Sequence, residues 1–88
     1  MNRTVEIKPN AKKQYRKCDS RTRERIRNAL FELEQQENPL FQRNVRALTG
    51  ELRGDYRLRI GNWRVLFTPD SQKRKLFVYT ILSRGNTY

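Results

Sequence analysis

The sequence predicts a small α+β domain: an N-terminal strand, two helices, and an antiparallel β-meander on which the helices pack. Three observations lead there. Polar and apolar residues alternate at Thr4-Val5-Glu6-Ile7-Lys8, the apolar period is helical between Ala11 and Leu33, and it returns to two from Tyr56 onward. The 88 residues form a single domain spanning 1–88, and a chain of this length has room for one core. With 35% hydrophobic and 33% charged residues that core must be thin.

Taken in order, the first strand ends at Pro9-Asn10, which reads as a turn. Ala11, Tyr15 and Cys18 then fall at helical spacing among Lys12, Lys13, Arg16 and Lys17, giving a short basic helix. Asp19-Ser20 supplies an N-cap for a longer helix whose apolar stripe is Ile26, Ala29, Leu30 and Leu33, and Asn38-Pro39 stops it. The stretch from Leu40 to Thr49 reads as a loop entering a strand, with Val45 and Leu48 its buried points and Gly50 a break. Tyr56, Leu58 and Ile60 alternate with Arg57 and Arg59, Gly61-Asn62 makes a hairpin turn, and Trp63 to Phe67 runs back. Pro69-Asp70-Ser71 marks the next turn. The nearly all-apolar run from Leu76 to Leu82 suits the centre of a sheet.

Charge and missing residue types narrow the chemistry. Lys and Arg number 20 against 9 Asp and Glu, a net charge of +11, and 14 of the basic residues are Arg. A guanidinium fork grips phosphate bidentately and stacks on bases, so the expected partner is a nucleic acid. Neither helix pairs its basic face with the broad aromatic face that a membrane surface would require, so no membrane partner is expected. The chain has no His, which removes His-dependent nucleophilic and RNA-cleaving mechanisms and His-based zinc sites. Its one cysteine, Cys18, cannot form an internal disulfide, and no leader-like or membrane-length apolar run occurs; a cytoplasmic location is the expectation.

The hairpin carries the constellation of interest. With Gly61-Asn62 as a two-residue loop, Ile60 stands opposite Trp63, Arg59 opposite Arg64, Leu58 opposite Val65, and Arg57 opposite Leu66. Arg57, Arg59 and Arg64 then share one face, while Leu58, Ile60, Trp63 and Val65 form the face that the helices cover. Like charges directly opposite each other cost roughly 0.2–1 kcal/mol, and only Glu51, Asp55 and Asp70 are at hand in this region to offset them. Such a cluster can hold a phosphodiester and stabilise the added charge of its pentacoordinate transition state. Polar residues of an amphipathic strand that simply face water would give the same period. Arg84 and Tyr88, after the last strand, either extend this face or form a polar tail. Trp63 is expected in the core, and Cys18 as a small apolar residue.

Across Leu48-Thr49-Gly50-Glu51-Leu52-Arg53-Gly54-Asp55-Tyr56-Arg57-Leu58-Arg59-Ile60-Gly61-Asn62-Trp63-Arg64-Val65-Leu66-Phe67 the sequence resembles the RelE branch of the RelE/ParE toxin superfamily. The resemblance extends over the whole chain in the order of its elements and in its ending, an Arg followed by a Tyr. It implies the toxin of a type II toxin-antitoxin system, which enters the ribosomal A site on the 30S subunit and cuts mRNA there. The cut proceeds by 2′-hydroxyl attack, with neither metal nor other cofactor. It also implies a cognate antitoxin with an acidic, amphipathic segment that covers or distorts the Arg face. Carried over by position, the catalytic residues are Arg57, Arg59, Arg64, Arg84 and Tyr88. The arginines neutralise the phosphate and leaving oxygen and orient the RNA, and the tyrosine stacks on a base or serves as general base. One departure stands out: many relatives place His before the C-terminal Arg, and this chain has Ser83 there.

Two other functions fit the same composition. The second branch of the superfamily poisons DNA gyrase without enzymatic activity, which needs a protein-binding surface and no phosphate-directed Arg cluster. A plain nucleic-acid-binding module would use the charge only for non-specific affinity. The four arginines favour the nuclease.

Overall fold

The computed structural model describes residues 3–83. Five strands and two helices follow in the order β1 (Thr4–Ile7), α1 (Pro9–Lys17), α2 (Ser20–Gln35), β2 (Val45–Ala47), β3 (Tyr56–Ile60), β4 (Trp63–Asp70) and β5 (Lys75–Ser83). Short 3₁₀ turns at Pro39–Phe41 and Gly50–Leu52 flank β2. The fold is the α+β arrangement expected, and the sheet order β1-β5-β4-β3-β2 completes it. Strands β2 to β5 pair antiparallel, whereas β1 lies parallel to β5, so the sheet is mixed. Among the described residues no helix is long and apolar enough to cross a membrane.

Both helix starts follow from local chemistry. Pro9 is the first residue of α1 rather than part of a turn, because its fixed φ and missing N–H suit the first helical position. Asp19 caps α2, its carboxylate accepting from the Thr22 N–H at 2.8 Å. The expected stripe faces inward: Ile26, Leu30 and Leu33 are buried, with Ala29 packed beside them. They meet Ala11, Cys18, Val45, Leu58, Ile60, Val65, Phe67, Leu76, Val78 and Ile81 in one core on one face of the sheet.

Both flanks of the β1 side are covered by side chains. Glu34 on α2 accepts from the Val5 N–H at 2.7 Å. Beyond Val78, where β1 has ended, α1 takes its place along β5: Asn10 donates to the Tyr79 carbonyl at 3.1 Å and Gln14 accepts from the Ile81 N–H at 2.6 Å. Open strand edges invite pairing with other chains, and these contacts close this one.

Besides Pro9, one boundary and one sheet position depart from the sequence reading. Strand β4 continues through Thr68, Pro69 and Asp70, so the turn falls later, with Arg74 at a φ of 55°. Pro69 is tolerated because β3 pairs no further than Phe67, which leaves that side of β4 open. The middle strand is β4, while β5, expected at the centre, lies between β4 and β1.

Candidate functional site

The β3–β4 hairpin has the expected register: Ile60 opposite Trp63, Arg59 opposite Arg64, Leu58 opposite Val65, and Arg57 opposite Leu66. A positive φ of 57° at Gly61, and none at Asn62, is the pattern of a II′ turn, whose twist matches that of the flanking strands. The register places Arg57, Arg59 and Arg64 on the face away from the helices. Trp63 packs against the core as expected.

Strand β2 adds to that face. Arg46 pairs with Arg57, and the Arg59 N–H donates to the Asn44 carbonyl at 3.0 Å, carrying the alignment one step further. Arg43, Asn44, Arg46, Arg57 and Arg59 line a shallow pocket of about 290 Å³. The structure thus gathers Arg57 and Arg59 with two arginines the sequence reading did not single out, Arg43 and Arg46. The sequence carries a signal for Arg46: with Val45 buried, period two puts Arg46 and Asn44 on the opposite face. Arg64 stands across from Arg59, beside the pocket and not in its lining. Arg84 and Tyr88 lie outside the described residues.

The electrostatics of the face are one-sided. Among the described residues the ion pairs are those of Glu6 with Lys8 at 3.5 Å and with Lys75 at 3.1 Å, toward the opposite edge of the sheet. The side chains of Arg43, Arg46, Arg57, Arg59 and Arg64 make no ion pair or hydrogen bond among these residues. Two Arg–Arg pairs face each other directly across strands, Arg59 with Arg64 and Arg46 with Arg57, each unfavourable by roughly 0.2–1 kcal/mol. Arginine heads without internal acceptors, gathered on one sheet face, can take an external oxyanion in bidentate hydrogen bonds.

Leu66 shows that this face is not wholly polar. It is only 1% exposed yet lies outside the main core, paired across strands with half-buried Arg57. A long basic side chain commonly covers an apolar neighbour with its methylenes. Asp55, two residues before Arg57, forms no ion pair with an arginine; it accepts from the hydroxyls of Thr68 and Tyr79, each at 2.8 Å. Cys18 is buried, and burial pushes its thiol pKa up, which matches an inert packing role.

A family model described as the ParE toxin of type II toxin-antitoxin system, parDE, matches residues 5–88. Among solved structures, the fold is similar to the toxin-antitoxin complex RelBE2 from Mycobacterium tuberculosis, with a TM-score of 0.84 at 24% identity over 96% of this chain and 100% of that one. It is similar to the isolated Escherichia coli RelE toxin, with a TM-score of 0.74 at 22% identity over 97% of this chain and 87% of that one. It is also similar to the YoeB/ParE toxin from Agrobacterium tumefaciens, with a TM-score of 0.75 at 16% identity over 91% of this chain and 96% of that one. No curated protein sequence matches the chain.

Proposed function

The chain belongs to the RelE/ParE superfamily of type II toxin-antitoxin toxins, and from that premise we propose that it is a ribosome-dependent endoribonuclease that cuts mRNA in the A site. One observation carries this reading within the superfamily: the pocket built from Arg43, Arg46, Arg57 and Arg59, with Arg64 alongside, whose guanidinium groups have no internal acceptors among the described residues. A gyrase poison has no use for charge concentrated on one sheet face in this way.

In the proposed reaction the 2′-oxygen of the RNA attacks the adjacent phosphorus, and the bond to the 5′-oxygen of the next nucleotide breaks. A 2′,3′-cyclic phosphate and a 5′-hydroxyl result. Arg57, Arg59 and Arg64, joined by Arg84, stabilise the extra negative charge of the pentacoordinate state. Tyr88 stacks on a base or accepts the 2′-hydroxyl proton. The nucleophile comes from the RNA and the positive charge from the protein, so the reaction as proposed calls on no metal or cofactor. A phenol of pKa about 10 is a weak base at neutral pH, so alignment of the 2′-oxygen for in-line attack must come from the ribosome. The partner in the cell is an antitoxin whose acidic segment covers the Arg face.

The test is translation in vitro with and without the protein, followed by primer extension, beside the same message free of ribosomes. Discrete stops at A-site codons, with the naked message uncut, are expected. Efficient cutting of naked RNA would overturn the ribosome dependence. Uninterrupted translation accompanied by gyrase-dependent DNA breaks would overturn the nuclease.

A further inference from the structure

One carboxylate sits within the Arg face without neutralising it. Extending the β3–β4 register one step beyond Tyr56 and Phe67 brings Asp55 opposite Thr68, and the Thr68 hydroxyl donates to Asp55 Oδ1 at 2.8 Å. Asp55 is two residues from Arg57, hence on the same face of the sheet, and diagonal to Arg46. Side chains in such positions are within reach of one another when they are long. An aspartate placed there would ordinarily pair with Arg57.

Two hydroxyls engage it instead. The extra residue in β5 across from Leu66 and Phe67, a β-bulge, puts Tyr79 and Thr80 between the core residues Val78 and Ile81. Bulges re-aim side chains, and here the Tyr79 hydroxyl reaches across β4 to donate to Asp55 Oδ2 at 2.8 Å. Each carboxylate oxygen therefore already accepts from one hydroxyl. Meanwhile Arg57 Nε is buried and has no hydrogen-bond partner, one of two such side-chain atoms among the described residues, the other being Gln42 Oε1. A buried donor left without an acceptor is unfavourable, yet an acceptor stands two residues away.

We propose that Thr68 and Tyr79 are positioning residues that clamp Asp55 away from Arg57, reserving the Arg57 guanidinium for a phosphate of the bound RNA. The clamp acts on charge: with the hydroxyls gone, Asp55 turns to Arg57, and one positive contact on the face is lost. This inference rests on the Arg face being an RNA-binding surface and is independent of whether the RNA is cut.

The experiment measures binding of a short fluorescein-labelled single-stranded RNA by anisotropy over a range of salt. It uses the full chain, Arg57→Ala, the double variant Thr68→Val with Tyr79→Phe, and that double variant with Asp55→Asn added. Arg57→Ala is expected to weaken binding and lower the salt slope by about one unit. The double variant should show the same loss, and Asp55→Asn should restore both affinity and slope. Asp55→Asn made alone in the parent, where the hydroxyls already hold the carboxylate off, should gain less than it gains in the double variant, which separates the clamp from the general gain of removing a negative charge. If Arg57→Ala weakens binding while the double variant binds like the parent, or if Asp55→Asn restores nothing, the clamp is refuted and the Arg face stands. If Arg57→Ala leaves binding unchanged, the Arg face itself is refuted, and the clamp with it.

Discussion

The two faces of the β3–β4 hairpin are built from alternate residues of the same strands, yet they obey opposite rules. Toward the helices stand Tyr56, Leu58, Ile60, Trp63, Val65 and Phe67, all within or packed against the core. Away from them stand Arg57, Arg59 and Arg64, joined by Arg46 from β2, with like charges set directly across from each other. The first face lowers the free energy of the fold; the second raises it slightly. If the Arg face binds RNA as proposed, stability and binding are separated onto two sides of one layer, and a substitution on one side should leave the other property almost untouched.

The sharpest way to break that separation is to exchange its two kinds of residue. Arg64→Ala should abolish cleavage of message on ribosomes, read by primer extension, while cosedimentation with ribosomes survives and stability shifts by less than about 0.5 kcal/mol. Phe67→Ala, at a fully buried position, should lower unfolding free energy by about 3–5 kcal/mol in urea titrations, with the RNA-binding salt slope of the remaining folded protein unchanged. A loss of stability in the first variant comparable to that in the second would collapse the distinction.

Smaller effects test the frame that holds the faces in register. Gly61→Ala places a Cβ at a φ of 57° and 2.6 Å from Arg25 Nη2. The arginine tip can swing aside, so the expected loss is chiefly that of a left-handed backbone, about 1–2 kcal/mol, measured as a lower urea midpoint. Least in size is the acid response. The carboxyl of Glu6 is held below its usual pKa chiefly by a hydrogen bond from Lys75, and that of Asp19 by hydrogen bonds from Thr22. A carboxyl whose pKa is lower in the folded chain contributes fully above its unfolded value near 4 and loses that contribution as pH falls through the folded value. Melting temperature should therefore be flat above about pH 5 with respect to these groups and fall below about pH 4, and Glu6→Gln with Asp19→Ala should flatten that fall.

Much of this architecture was legible because local signals agreed. The Asp19 cap, the Ile26-Leu30-Leu33 stripe and the Gly61-Asn62 turn each state one unambiguous period or conformation, and together they fix the hairpin register that displays the arginines. What escaped had physical reasons. The parallel pairing of β1 with β5 joins residues about as far apart in sequence as Thr4 and Lys75, and no local pattern encodes such a contact. The bulge at Tyr79 hid within the apolar run Leu76 to Leu82, where alternation is masked because both faces of the strand are largely covered. Pro9 and Pro69 read as turn markers in the sequence, whereas one starts a helix and the other sits where β3 no longer pairs with β4. Arg46 was legible only through the buried point at Val45, because β2 is three residues long, and Arg43 lies outside the strand, where no period places it.

The most direct test of the central claim concerns which oxygen attacks. A message carrying a single 2′-deoxy nucleotide on the 5′ side of the cut position in the A-site codon is programmed on ribosomes with the protein, and the fragments are analysed for their 3′ ends. The all-ribose message should be cut to a 2′,3′-cyclic phosphate end and the deoxy message should remain intact. Cutting of the deoxy message, or 3′-hydroxyl ends on the ribose one, would contradict an Arg face that works by letting the RNA attack itself.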